Sequence, residues 1–294
     1  MSIRFIADSA ADLPKDFVEK NNIDIFPLYI HHDNEIYRDG IDLKAKELYK
    51  RMKNGEMFKT SQVSVNVFLE KFKEYAKNGD KVIYLSLSSK LSGTFQSAVL
   101  AKREIKEKYP DFDITLIDSR SASMGVGLII YKLMHEYKEK DLNKDQIIEK
   151  AKYYSSHMEH IFTVNDLDYL VRGGRLNKIA GFVGGILKIK PIIEVKNGSL
   201  EQSEKIKGNT KVMKRMLEIV QKRATNLENE TIAIAHANNE KSAKKLKNKI
   251  LEATPCDSII LSNIGAVIGA HAGPGTYGVL FINENKKINE IEIK

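Results

Sequence analysis

Through its first half the chain alternates short apolar runs with stretches whose apolar residues recur at helical spacing, the pattern of a mostly parallel sheet flanked by helices. Strands are predicted at Ile3 to Ala7, Ile23 to Ile30, Lys81 to Leu87 and Asp113 to Ile117. Helical spacing covers Leu43 to Met52, Val65 to Ala76, Thr94 to Lys108, Gly127 to Lys138 and Lys144 to Ser155, and Asp8 to Pro14 reads as a loop and helix start. The pattern restarts near His157 with a strand at Ile161 to Val164, so two α/β domains are expected, residues 1–157 and 158–294. The second half reads as a mixed sheet with helices. Its helices are predicted at Asp166 to Val171, Lys178 to Lys188, Thr210 to Arg223 and Ser242 to Leu251. Its strands fall at Pro191 to Val195, Leu200 to Ile206, Thr231 to Ala237, Ser258 to Leu261 and the apolar run Val279 to Ile282. Asn197-Gly198, between two of those strands, is a two-residue hairpin signal.

Composition changes this picture little. With 294 residues, 42% hydrophobic and 29% charged, the chain has room for two sizeable cores. The formal net charge of +8 permits an acidic partner or transient contact with an anionic membrane surface. The lysines, however, lie along helix faces (Lys44, Lys46, Lys50, Lys53; Lys241, Lys244, Lys245, Lys247, Lys249), mixed with acids. No aromatic-interleaved basic motif accompanies them, so no nucleic-acid partner is expected. Cys256 is the only cysteine, which excludes an intramolecular disulfide and fits a reducing cytoplasm. Met1 to Phe5 reads as a strand rather than a signal peptide, and no apolar run reaches the length of a membrane span. His157 and His160 lack a third ligand nearby in sequence; surface or interdomain histidines are expected rather than a metal site.

Candidate chemistry concentrates in a few polar and glycine-rich segments. From Ile264 to Gly278 one histidine, His271, sits among five glycines and a proline. Such a segment must turn tightly or approach something closely, and it can offer a ring nitrogen to a ligand. Ser88-Ser89-Lys90-Leu91-Ser92-Gly93-Thr94 follows a strand and opens a helix, a position suited to carboxylate or phosphate, with ordinary capping as the competing reading. Thr60-Ser61-Gln62-Val63-Ser64 is a second hydroxyl-rich turn. Asp8-Ser9 and Asp118-Ser119 stand at strand ends, where structural capping is the favoured reading. Gly125-Val126-Gly127 is a fragment of a dinucleotide fingerprint, better explained by close helix packing. Arg172-Gly173-Gly174-Arg175 gives two arginines about a flexible pair. That is either a mobile fork for phosphate or an acidic partner, or an exposed surface turn. Ala180-Gly181-Phe182-Val183-Gly184-Gly185-Ile186-Leu187 is small-sided and could pack tightly or line an apolar cavity.

Together these segments resemble the DegV family of bacterial proteins. The match runs in order through Asp8-Ser9-x-x-Asp12-Leu13-Pro14, Thr60-Ser61-Gln62, Ser88 to Ala98, Asp118-Ser119, Asp166 to Arg175 and Gly265 to Gly278. The resemblance implies two α/β domains with a long-chain fatty acid between them. In the characterised branch such proteins present the acyl carboxylate to a separate ATP-using kinase subunit, from which it leaves as acyl phosphate. Carried over by position, Thr60, Ser92 and His271 become the carboxylate-binding set, with Ser61, Gly93, Thr94 and Gly273 in support. This set contains no fixed positive side chain that would hold the head group too stably for transfer. Arg172 and Arg175 match the residues associated with kinase docking and phosphoryl transfer, and Lys207 stands where a further arginine is usual, keeping charge without the bidentate fork. Val63 and Lys90 depart from the family's usual proline and glycine without removing a donor. No cofactor is expected on this chain; ATP and Mg belong to the kinase partner. The alternative is a serine-type hydrolase with Ser92 as nucleophile and His271 as base. The Gly-x-Ser-x-Gly elbow is absent, and only Asp8 or Asp118 could orient the base.

Overall fold

The computed structural model describes residues 3–176, 189–224 and 227–285. The predicted helix Lys178 to Lys188, with its small-sided stretch Ala180 to Leu187, lies outside the described residues. Four parallel strands form the first sheet in the order β2 (Asp24–Phe26), β1 (Ile3–Asp8), β6 (Lys81–Ser86), β7 (Ile114–Asp118). The single strand expected over Ile23 to Ile30 is two. Pro27 has no N–H for a ladder bond. Beyond it the chain leaves the parallel sheet as β3 (Tyr29–His32), which pairs antiparallel with β4 (Glu35–Arg38) and β5 (Lys59–Ser61) in a small separate sheet.

A six-stranded mixed sheet has the order β10 (Ser199–Lys207), β9 (Ile189–Lys196), β8 (Met158–Thr163), β13 (Tyr277–Ile282), β11 (Thr231–His236), β12 (Ser258–Asn263). All its pairings are antiparallel except β11 with β12. The hairpin between β9 and β10 turns on Asn197 and Gly198 at φ +50° and +82°, as a two-residue turn of that composition requires.

The helices are α1 (Lys15–Asn21), α2 (Ala45–Lys53), α3 (Val65–Asn78), α4 (Thr94–Lys108), α5 (Met124–Lys140), α6 (Lys144–His157), α7 (Asp168–Arg172), α8 (Asn209–Arg223), α9 (Glu240–Ala253) and α10 (Ala266–Ala272). Two of their starts carry side-chain caps: Ser64 caps α3, and Asn143 with Gln146 forms a capping box on α6. The fold's centre is α5. It packs on β6 of the first sheet and on β8, β11 and β13 of the six-stranded sheet. A helix covered on several sides must be apolar nearly all round, which Met124 to Met134 is. Gly125 and Gly127 serve this packing: a Cβ on Gly125 would lie 2.1 Å from His160 Nε2, and one on Gly127 2.6 Å from the Ala11 carbonyl. One apolar cluster accordingly joins Phe26, Phe68 and Tyr84 to Ala235, Ile264 and Leu280 across both sheets. A second lies under α8 and α9 on the far face of the six-stranded sheet.

Candidate functional site

The glycine-rich segment around His271 is mostly helix. It forms α10, then turns through Gly273 and Gly275 at φ +77° and +94° into β13. Gly273 is needed twice over, because its backbone is left-handed and a Cβ there would meet the Tyr169 ring at 2.4 Å. His271 therefore stands in the last turn of a short helix pressed against α7.

Its ring is wedged between two neighbours. Nε2 is 2.7 Å from Thr60 Oγ1, while Nδ1 faces Gly173 so closely that a Cβ there would approach to 2.2 Å. Burial, with the Arg175 charge adding to it, pushes the His271 imidazole down to about 4. At neutral pH it is an uncharged ring with one donor and one acceptor nitrogen.

Strand alternation sends Thr60 and Ser61 to opposite faces of β5. Thr60 meets His271, whereas the Ser61 hydroxyl pairs with His31 Nε2 at 2.7 Å. Ser92 Oγ lies 2.9 Å from Thr94 Oγ1 and accepts the Thr94 N–H at 3.2 Å, so it also helps start α4. Gln62 ties these two segments together. It donates to Ser97 Oγ at 2.7 Å and crosses Gly93, where a Cβ would collide with its Oε1 at 2.0 Å.

These contacts bring Thr60, Ser92 and His271 to one cavity of about 430 Å³, within the roughly 300–1,000 Å³ usual for small-molecule sites. Its walls are largely apolar, with Leu28, Leu87, Phe162, Val195, Leu200 and Leu280 among them. His160 is buried in the same wall and accepts the Ala122 N–H at 3.4 Å; His157 is buried against the Tyr153 ring. An outer cavity of about 300 Å³, lined by Met57, Lys59, Tyr169 and Arg172, shares Thr60, Arg175 and His271 with the inner one. Among the described residues no His, Cys, Asp and Glu cluster is arranged to hold a metal, and no helix is long and apolar enough to cross a membrane.

The two arginines do not form a mobile fork. Arg172 is exposed, stacks on Tyr169 with its guanidinium 5.2 Å from the ring centre, and reaches the Asp168 carbonyl. Arg175 turns inward instead. It donates to the Leu91 carbonyl at 3.0 Å and the Gly173 carbonyl at 2.6 Å, spanning from the Ser92 loop to the residue beside His271. Burial lowers its pKa. Arg175 lines the inner cavity with Thr60, Ser92 and His271, so a half-buried cation stands beside the three residues carried over from the family motif. Lys207 lies exposed at the end of edge strand β10 and is not among the described residues lining either cavity.

The acids expected as caps are structural. Asp8 accepts from Tyr84 Oη and the Leu87 N–H, both at 2.9 Å, and Asp118 accepts from the N–H groups of Ser89 and Arg120. With His271 held on Thr60 and these two acids engaged elsewhere, no base–acid relay of the hydrolytic kind reaches Ser92 among the described residues.

A family model described as "Uncharacterised protein, DegV family" matches residues 2–284. The chain belongs to the DegV family. A DegV domain-containing protein of Clostridium perfringens is 40% identical over 283 residues, covering 95% of this chain and 97% of that one. Among solved structures, DegV from Bacillus subtilis, described as a fatty acid binding protein, superposes with a TM-score of 0.84 at 31% identity, covering 96% and 99% of the two chains. A stearic acid-binding protein from Eubacterium ventriosum gives a TM-score of 0.88 at 28% identity, with the same shares covered.

Proposed function

We propose that this DegV-family protein binds a long-chain fatty acid between its 1–157 and 158–294 halves and presents the carboxylate to a separate ATP-dependent kinase subunit. The observation that carries this reading is the neutral His271–Thr60 pair, standing where an apolar inner cavity meets a more polar outer one. Solved relatives whose names describe fatty-acid binding support it.

A carboxylate leaving water needs donors, and charge-assisted hydrogen bonds are the stronger kind. In the donating tautomer, His271 Nε2–H donates to Thr60 Oγ1, which frees the threonine O–H to donate to the ligand. Ser92 supplies a second hydroxyl. Arg175 adds attraction from a cation whose position is fixed by two carbonyls. The acyl chain, at roughly 0.8 kcal/mol per buried CH₂, contributes on the order of 10 kcal/mol before ordering costs, so the polar set mainly fixes orientation.

In the transfer step a carboxylate oxygen attacks the terminal phosphorus of ATP on the partner. A P–O bond forms to the acyl group, the bond to the bridging oxygen breaks, and ADP leaves with its electron pair. ATP and Mg stay with the kinase subunit. Arg172, exposed beside the outer cavity, faces that partner, with Lys207 as a further basic contact; the basic surface suits transient meeting with an anionic membrane. Acyl-phosphate formation with a kinase subunit, ATP and Mg tests the reading. Ser92→Ala and Thr60→Ala are expected to lower turnover, and Arg172→Ala to lower it while leaving fatty-acid affinity intact. Unchanged turnover in all three contradicts the assignment.

A further inference from the structure

Helix α10 has seven residues, too few to fix its own position, and its start is held by groups 215 to 253 residues away in sequence. Asp12 Oδ1 accepts the Gly265 N–H at 2.8 Å, and Asp39 Oδ1 accepts the Ala266 N–H at 3.1 Å. Tyr49, from α2, donates its hydroxyl to the Ile264 carbonyl at 2.8 Å. Asp12 also accepts the Ser123 hydroxyl at the start of α5, and its carbonyl accepts from Ser262 Oγ at 3.0 Å. The seat thus links α10 to α2, to the centre of the fold and to the end of β12.

All three side chains are buried, and none of them lines either cavity. The two acids face one another across Gly265. A Cβ there would lie 2.4 Å from Asp12 Oδ1 and 3.7 Å from Asp39 Oδ2. Burial raises Asp39 to about 6 and Asp12 well above its usual range, with the Asp39 and Asp8 charges adding to the latter. Two buried facing acids are a costly way to pack a helix, and an apolar or amide contact would serve packing alone. What this pair supplies is a pair of acceptors fixed on successive N–H groups at the helix start.

We propose that Asp12 and Asp39, with Tyr49, are positioning residues that seat α10 and thereby set His271 against Thr60 for head-group recognition. The inference rests on the carboxylate reading of the His271 site. Binding of palmitate and of methyl palmitate is measured for the wild type, Asp39→Asn and Tyr49→Phe, each with and without His271→Ala. The variants are expected to weaken palmitate about tenfold and methyl palmitate by less than about twofold, because Tyr49→Phe loses its hydroxyl and Asp39→Asn sets an NH₂ among the Ser9, Ala266 and Val267 donors that Asp39 accepts. In the His271→Ala background the palmitate loss is expected to vanish, because the seat acts through that ring. Equal weakening of acid and ester, or an undiminished loss without His271, overturns the proposal. Wild-type protein that fails to bind palmitate overturns the carboxylate reading instead. Tyr49→Phe removes only a hydroxyl, so it carries the same prediction should Asp39→Asn not fold.

Discussion

At the scale of single residues, the proposed carboxylate site depends on keeping His271 uncharged. A His271 pKa near 4 lies below the ordinary 6.5, so between those values the unfolded ring takes up a proton that the folded ring refuses. Its contribution to stability is complete above pH 6.5 and is lost as pH falls towards 4. Urea midpoints measured across that window should therefore fall less steeply for His271→Asn than for the wild type; parallel curves would contradict a neutral buried ring. Thr60→Val, which keeps shape but removes the hydroxyl, should weaken fatty-acid binding about tenfold by calorimetry. Thr60, Ser92 and His271 line one cavity, a grouping that came from the family resemblance because each short motif alone also read as ordinary capping or turn, whereas the structural use of Asp8 and Asp118 was legible directly. Gln62 and Gly173 were not. Their roles lie in contacts with Ser97 and His271, which no local pattern announces. Arg175 was read by type but not direction, since a Gly-Gly turn leaves open which way an arginine points.

At the scale of elements, α7 and α10 press together with glycine at both closest points. Gly173 has an ordinary helical backbone, φ −69°, so Gly173→Ala carries no backbone strain, and its effect should come from a Cβ that displaces the buried His271 ring, costing some packing and weakening ligand binding. Gly273→Ala is expected to differ: its left-handed backbone and the Tyr169 ring should together cost about 1–3 kcal/mol of unfolding free energy in denaturant titration. Equal effects of the two substitutions on stability would contradict this division. Long periodic elements such as α4 and α5 were plain in the sequence. The strand β5 was not, because Lys59-Thr60-Ser61 has no apolar run and exists as a strand only through pairing with β3. The same limit hid α10, whose glycines read locally as loop but are dictated by close approach of Tyr49 and Tyr169.

At the scale of the whole molecule, the six-stranded sheet, α10 and the loops carrying Leu87 to Gly93 and Ala122-Ser123 enclose a largely apolar space, with Thr60, Arg175 and His271 at its border with a second cavity. A ligand filling that space binds only the folded chain. Palmitate at about a hundred times its Kd should therefore add about 2.7 kcal/mol of stability and raise the melting temperature, an increment that Thr60→Val reduces at fixed palmitate concentration. The alternating pattern of the first half and the mixed second half foretold the sheets, but the cavity is assembled from Leu28, Phe162, Val195 and Leu280, residues scattered along the chain. Mass spectrometry of the organic extract of the purified protein tests the central claim most directly. A long-chain fatty acid released in near-stoichiometric amount is the predicted result; an extract without fatty acid, from protein that then takes up neither palmitate nor oleate, would contradict it.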